Sequence, residues 1–298
     1  MHYAFIGLGN LGAHLAASLL RAGFDVSITD LDRNTAASLE VAGAHWADTA
    51  PQVVAGVDAV ITCLPSPTIS EQVLSDILPH MNGADWIEMS TLGREEILRL
   101  ANIAQAYNVQ TMELPVTGGV HLAAQGNITM LAGGPKALFE KHELALEAMG
   151  NKIFHMGDLG SASLIKVITN MLAFIHLQAC AEALMLAKRG GLDLAQAWEA
   201  IAASSGSSFV HETEGQLILN GSYDVAFTMD LALKDFGFAM EFGSDYDVPL
   251  ELAALTQQTF RRARAAYGGD AQSPMIAKLL EDVLQTDLRA DGFPARLE

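Results

Sequence analysis

The stretch from Tyr3 to Asp30 constrains this chain more than any other. It reads Tyr3-Ala-Phe-Ile6, then Gly7-Leu-Gly-Asn-Leu-Gly12, then an apolar run to Ala22-Gly23, then Asp25-Val-Ser-Ile-Thr-Asp30. A short apolar strand feeds a glycine turn, a helix follows, and a second strand ends in a carboxylate. That order opens a parallel α/β sheet that binds a dinucleotide. Gly7 serves the tight turn, Gly9 lets the backbone approach a pyrophosphate, and Gly12 lets helix and strand pack closely. The helix directs its unpaired N–H groups and the positive end of its dipole at the phosphates. Asp30 stands where a carboxylate accepts hydrogen bonds from the adenosine ribose, so NAD is the expected cofactor. Arg33 would suit the 2′-phosphate of NADP and keeps that cofactor open.

With 298 residues, the chain is long for one such unit, and two domains are expected. We place them at 1–161 and 162–298. The formal charge is −18, from 17 basic and 35 acidic residues, which would repel a phosphate backbone and argues against nucleic acid as a partner. An anionic substrate needs local cations, so lysines in clefts are informative. Cys63 and Cys180 read as small core residues, not as a disulfide framework. No basic segment precedes the first apolar run, which contains the phosphate turn itself, so no signal peptide is expected and the cytoplasm is. The sequence suggests no metal ligands.

Further along, Ala59-Val-Ile-Thr-Cys63 is a continuously apolar strand, as in a parallel sheet buried on both faces. Leu64-Pro65-Ser66-Pro67 ends it at the carboxyl edge, where such sheets bind ligands. Trp86-Ile-Glu-Met89 is a second such strand, followed by Ser90-Thr91. These polar strand ends suit a nicotinamide ribose, or serve as ordinary helix caps. Thr111-Met-Glu-Leu114 begins another strand and leads into Pro115-Val-Thr-Gly-Gly119. Thr117, Gly118 and Gly119 offer a hydroxyl and consecutive amides, a nest suited to a carboxylate or simply a tight turn. His121, just beyond, is not taken as a candidate. Lys152-Ile-Phe-His-Met156 reads as the last strand of the first domain.

From Ala162 to Arg189 there is no Gly or Pro, and apolar residues fall on nearly every face. Such a helix is buried or spans a membrane. Lys166, Asn170, His176, Gln178 and Glu182 interrupt it, which is costly in lipid, so it is read as a helix buried between two domains and between subunits. Lys166 and Asn170, four residues apart, share a face. A buried lysine shifts its pKa readily and suits proton transfer near neutral pH; the alternative is a lysine reaching out to solvent at a helix end. The remainder reads as helices over 192–203, 229–242 and 249–267, with Ser273-Pro274 as N-cap and first residue of a last helix. Ile276, Leu279, Leu280, Val283 and Leu284 form its apolar stripe.

Four motifs now stand in order: Gly7-Leu-Gly-Asn-Leu-Gly12, Pro115-Val-Thr-Gly-Gly119, the Lys166–Asn170 helix start, and Lys234-Asp235. Together they resemble the β-hydroxyacid dehydrogenases, the group containing 3-hydroxyisobutyrate dehydrogenase and tartronate semialdehyde reductase, over essentially the whole chain. The resemblance implies an N-terminal Rossmann doubly wound sheet and a C-terminal all-α domain joined by a long interdomain helix. It implies that Gly7, Gly9, Asn10, Leu11 and Gly12 hold the pyrophosphate and Asp30 the ribose, with Leu64, Pro65 and Thr91 along the cofactor and Lys234 near the nicotinamide. Thr117, Gly118 and Gly119 would bind a small carboxylate substrate. Lys166 would be the general acid/base, Asn170 would orient the substrate, and Asp235 would hold the local structure.

Departures from the family pattern are Leu11 for Met, Thr117 for Ser, Glu113-Leu114 for Asp-Ala, and Thr169 for the first of two asparagines. They bear on substrate identity more than on cofactor chemistry. The expected activity is hydride transfer between NAD and a small 3-hydroxy acid in a homodimer or homotetramer. Rivals are a semialdehyde, sulfolactaldehyde or imine reductase on the same scaffold, and a non-catalytic NAD-binding module.

Overall fold

Residues 1–297 are described by a computed structural model. The chain divides into two compact units, Met1–Lys166 and Val167–Glu298. The division falls inside one helix, a few residues beyond the expected boundary.

In the first unit, six strands form one parallel sheet: β1 (His2–Ile6), β2 (Asp25–Thr29), β3 (His45–Trp46), β4 (Ala59–Thr62), β5 (Asp85–Glu88) and β6 (Thr111–Glu113), in the order β3-β2-β1-β4-β5-β6. The order reverses between β1 and β4, so a crevice opens beyond their carboxyl ends, where doubly wound sheets bind dinucleotides. Burial on both faces explains the continuously apolar strands. Tyr3, Phe5 and Ile61 pack on the face covered by helix α1 (Gly12–Arg21), together with Leu15 and Leu19. Ala4, Ile6, Val60 and Trp86 pack on the other, with Leu74, Ile97 and Leu100. Cys63 lies one residue past β4 and is half-buried; Cys180 is buried, and both are free thiols.

The strand read over 152–156 is the last strand of this unit, as expected, and it lies in a second sheet. Strands β7 (Val116–Thr117), β8 (Ile128–Ala132) and β9 (Gly150–His155) form a separate three-stranded sheet, β7 antiparallel and β9 parallel to β8. Phe154 is half exposed, which a central strand of the main sheet would not allow.

Helix α2 (Ser161–Arg189) is 29 residues long and is the one described helix long and apolar enough to cross a membrane. It is not buried all round. Phe174, Leu177, Cys180, Leu184 and Met185 enter the core of the second unit, while Ile168, Leu172 and Leu186 are exposed. Helices α3 (Met229–Asp245) and α4 (Glu251–Tyr267) pack against that core. Phe174, Phe236 and Phe260 meet there with ring centroids 4.9–5.3 Å apart, in tilted and edge geometries worth about 1 kcal/mol per pair beyond burial.

Two expectations for this unit fail locally. Ser273 does not cap the last helix: it is buried and begins a 3₁₀ turn, Ser273–Met275, before the helix Ile276–Leu284. The supposed apolar stripe is interrupted, because Val283 is 79% exposed. Two short helices, Phe209–Glu212 and Glu214–Asn220, precede α3. Among the described residues, this unit's β pairing is a single bridge between Thr228 and Gln272.

Candidate active site

The three glycines of the first turn differ in what demands them. Gly7 has φ +96°, and an added Cβ would overlap the Cys63 carbonyl; at Gly12 it would overlap the Gly7 carbonyl and crowd Phe5. Both are required by the chain's own packing. At Gly9 a Cβ would meet nothing within 4 Å. Its bare backbone borders an open approach, as a pyrophosphate needs, and among the described residues no side chain caps α1 behind it. The turn fits a dinucleotide on that observation.

Asp30 already holds this turn in shape. One carboxylate oxygen accepts the Leu8 N–H at 2.5 Å and the other accepts the Asp32 N–H at 2.9 Å. Arg33 is turned to the protein itself. Its guanidinium meets both Glu40 oxygens, at 2.6 and 2.8 Å, and lies 4.4 Å over the Trp46 ring.

Across the crevice, the Leu64 N–H donates to Ser90 Oγ at 2.7 Å, and the Ser90 N–H donates to Glu88 Oε1 at 2.7 Å. Ser90 is therefore a buried brace for the Leu64-Pro65 loop, while Pro65 is exposed and Thr91 half-exposed. Glu88 is 1% exposed, and burial pushes its carboxyl up to about 7 despite the surrounding hydroxyls of Ser90, Thr62 and Ser70. The sequence signal for Glu88 was a carboxylate in an otherwise apolar strand.

Beyond β6, Gly118 and Gly119 have φ of +125° and +90°. Gly119 pairs φ +90° with ψ 169°, a conformation that glycine adopts and other residues rarely do. A Cβ at Gly118 would press on Leu122, and at Gly119 it would crowd the His121 ring at 3.1 Å. His121 thus packs against the proposed carboxylate turn, and burial pushes its imidazole down toward the neutral form.

Glu113, at the end of β6, is fully buried and reaches the start of α2. Its Oε1 accepts the N–H groups of Gly160 and Ala162 at 2.6 and 2.9 Å; its Oε2 accepts the N–H of Ser163 at 2.9 Å and the Ser163 hydroxyl. Burial raises this carboxyl, and these donors oppose the rise. Lys166 follows in the second turn of α2 and is 8% exposed.

In the second unit Asp235 joins two helices. It accepts the Asn170 amide at 2.6 Å and pairs with Lys234 Nζ at 3.0 Å. Asp235 is 2% exposed and Asn170 9%, and Lys234 lies 5.5 Å over the Phe238 ring. No group of His, Cys, Asp and Glu able to hold a metal occurs among the described residues.

The family described as the NAD binding domain of 6-phosphogluconate dehydrogenase matches residues 2–157. That described as NAD-binding of NADP-dependent 3-hydroxyisobutyrate dehydrogenase matches residues 160–280. The 2-(hydroxymethyl)glutarate dehydrogenase of Eubacterium barkeri is 32% identical over 284 residues, 94% of each chain. The 3-hydroxyisobutyrate dehydrogenase of Pseudomonas aeruginosa is 34% identical over 268 residues, 86% of this chain and 90% of that one. A crystal structure titled 3-hydroxyisobutyrate dehydrogenase, from Salmonella typhimurium, superposes with a TM-score of 0.88 at 30% identity, covering 94% and 99% of the two chains. The chain belongs to the β-hydroxyacid dehydrogenase family of NAD(P)-dependent oxidoreductases.

Proposed function

We propose that this enzyme interconverts a small 3-hydroxy acid and its aldehyde or ketone, with Lys166 as general acid/base and NAD as the preferred cofactor. The observation that carries the reading is a lysine 8% exposed in the second turn of α2, whose first turn is fastened to the strand leading into Thr117-Gly118-Gly119. Bound NAD supplies the hydride acceptor for the carbon bearing the hydroxyl. Neutral Lys166 takes the hydroxyl proton during oxidation; in reduction its ammonium returns a proton and stabilises the developing alkoxide. Thr117 and the Gly118 and Gly119 amides anchor the substrate carboxylate and so fix its orientation.

Gly7, Gly9, Asn10, Leu11 and Gly12 hold the pyrophosphate, Asp30 the ribose, and Leu64, Pro65 and Thr91 flank the cofactor. Arg33, engaged by Glu40 and Trp46, supports NAD over NADP. Asn170 and Lys234 take the substrate-orienting and nicotinamide-side roles of the family, braced by Asp235. The relatives' names point to a shared substrate pattern: 3-hydroxyisobutyrate and 2-(hydroxymethyl)glutarate each carry a hydroxymethyl group beside a carboxylate.

We further propose two functional domains, the first for the cofactor and the second for substrate and subunit contacts, in a homodimer or homotetramer. The exposed apolar residues Ile168, Leu172 and Leu186 of α2 support a second copy there. The two free thiols suit a reducing compartment such as the cytoplasm.

Lys166→Ala tests the chemistry on a panel of small hydroxy acids with NAD, followed by cofactor absorbance. The expected result is lost turnover with NADH affinity intact. Retained turnover on every substrate would refute the assignment.

A further inference from the structure

Glu113 ties the strand that leads into the carboxylate turn to the start of the lysine-bearing helix. It ends β6, three residues before the start of β7 and four before Thr117. Its carboxylate reaches 47 to 50 residues along the chain to the first turn of α2 and accepts four hydrogen bonds there, three from backbone amides. Helix N-terminal amides lack intrahelical partners, and here a remote buried acid, not a preceding Ser or Asp, supplies them. The surroundings are shaped to admit it. A Cβ at Gly133 would overlap Glu113 Oε1, and Gly133 exchanges both backbone hydrogen bonds with Glu113 at 3.0 Å. Gly160 sits at φ +92° with its amide turned onto the same oxygen. Because residues 163 and 166 lie in the one continuous helix α2, the position of the first sets that of the second.

We propose that Glu113 is a positioning residue for the reaction, holding Lys166 at a fixed distance from the Thr117-Gly118-Gly119 turn; this rests on the acid/base reading of Lys166. Glu113 touches no reacting atom. It acts through the amides of Gly160, Ala162 and Ser163, and its effect falls on kcat, because misplacing a catalytic group by about 1 Å costs on the order of a hundredfold in rate.

Glu113→Gln keeps the shape but replaces one accepting oxygen with a donor facing donors. Glu113→Asp keeps both acceptors on a shorter stem. Ser163→Ala removes only the hydroxyl and leaves the helix cap otherwise intact. The assay is steady-state kinetics beside NADH titration by fluorescence and thermal unfolding. We expect Glu113→Gln to lower kcat by about tenfold or more with NADH affinity within about twofold. Glu113→Asp should recover part of the loss, and Ser163→Ala should lower kcat several-fold.

If the Gln variant does not fold, Ser163→Ala decides, since its fold keeps three of the four bonds. Unchanged kcat in folded variants would overturn the proposal, as would a kcat loss matched by an equal loss of NADH affinity. Lys166→Ala run alongside separates the two readings. If it is inactive while the Glu113 and Ser163 variants turn over normally, only the positioning role falls. If it is active, the acid/base reading falls and takes this one with it.

Discussion

Glu88→Gln isolates how much the ligand edge of the sheet depends on one buried carboxyl. Glu88 is 1% exposed, and burial raises its carboxyl from the ordinary 4.5 to about 7. Below 4.5 both folded and unfolded chains hold the proton, and pH has no hold on stability through this group. Between 4.5 and 7 the folded state keeps a proton that the unfolded chain has released, so stability falls as pH rises. Above 7 the full cost of a buried anion remains. A shift of that size corresponds to about 3 kcal/mol at 1.36 kcal/mol per unit. Glutamine keeps the acceptor for the Ser90 N–H and never ionises. Urea unfolding at half-unit steps from pH 4.5 to 8.5, read by tryptophan fluorescence, gives the variant-minus-parent difference, in which the other titrating groups cancel. The variant should match the parent near pH 4.5 and exceed it by about 3 kcal/mol at pH 8.5. A constant difference across pH, or a less stable variant at pH 8.5, would refute the reasoning.

The glycine turn separates packing from ligand approach. Gly7→Ala, at positive φ against the Cys63 carbonyl, should destabilise the protein by more than about 1 kcal/mol. Gly9→Ala, facing open space, should leave stability within about 0.5 kcal/mol yet weaken NADH binding in a fluorescence titration. Glu40→Ala releases Arg33 from an exposed, solvent-screened pair that contributes little to folding; the ratio of NADPH to NADH affinity should rise several-fold. If the proposed second copy covers α2, Leu186→Asp, at a position 76% exposed on that helix, should lower the mass seen by light scattering relative to the parent; an unchanged mass would count against that interface.

Much of the first unit was legible because its signals are local. The run from Tyr3 to Asp30 contains strand, turn, helix and acid within one βαβ step, and the demands at Gly7 and Gly12 come from the same turn and the adjacent strand. Continuous apolar runs such as Ala59–Thr62 announced a sheet covered on both faces, and the absence of Gly and Pro from 162 to 189 announced α2. Tertiary structure decided what depends on distant parts of the chain. The last strand joined a second sheet because β8 was its available partner. Val283 turned outward and Ser273 inward because only assembled helices define which side is solvent. Arg33 met Glu40, and Glu113 found the amides at the start of α2, 47 to 50 residues away. Periodicity and turn chemistry act over a few residues and are written in order along the chain; burial, ion pairing and remote capping arise from contacts between segments, which no single window of sequence contains.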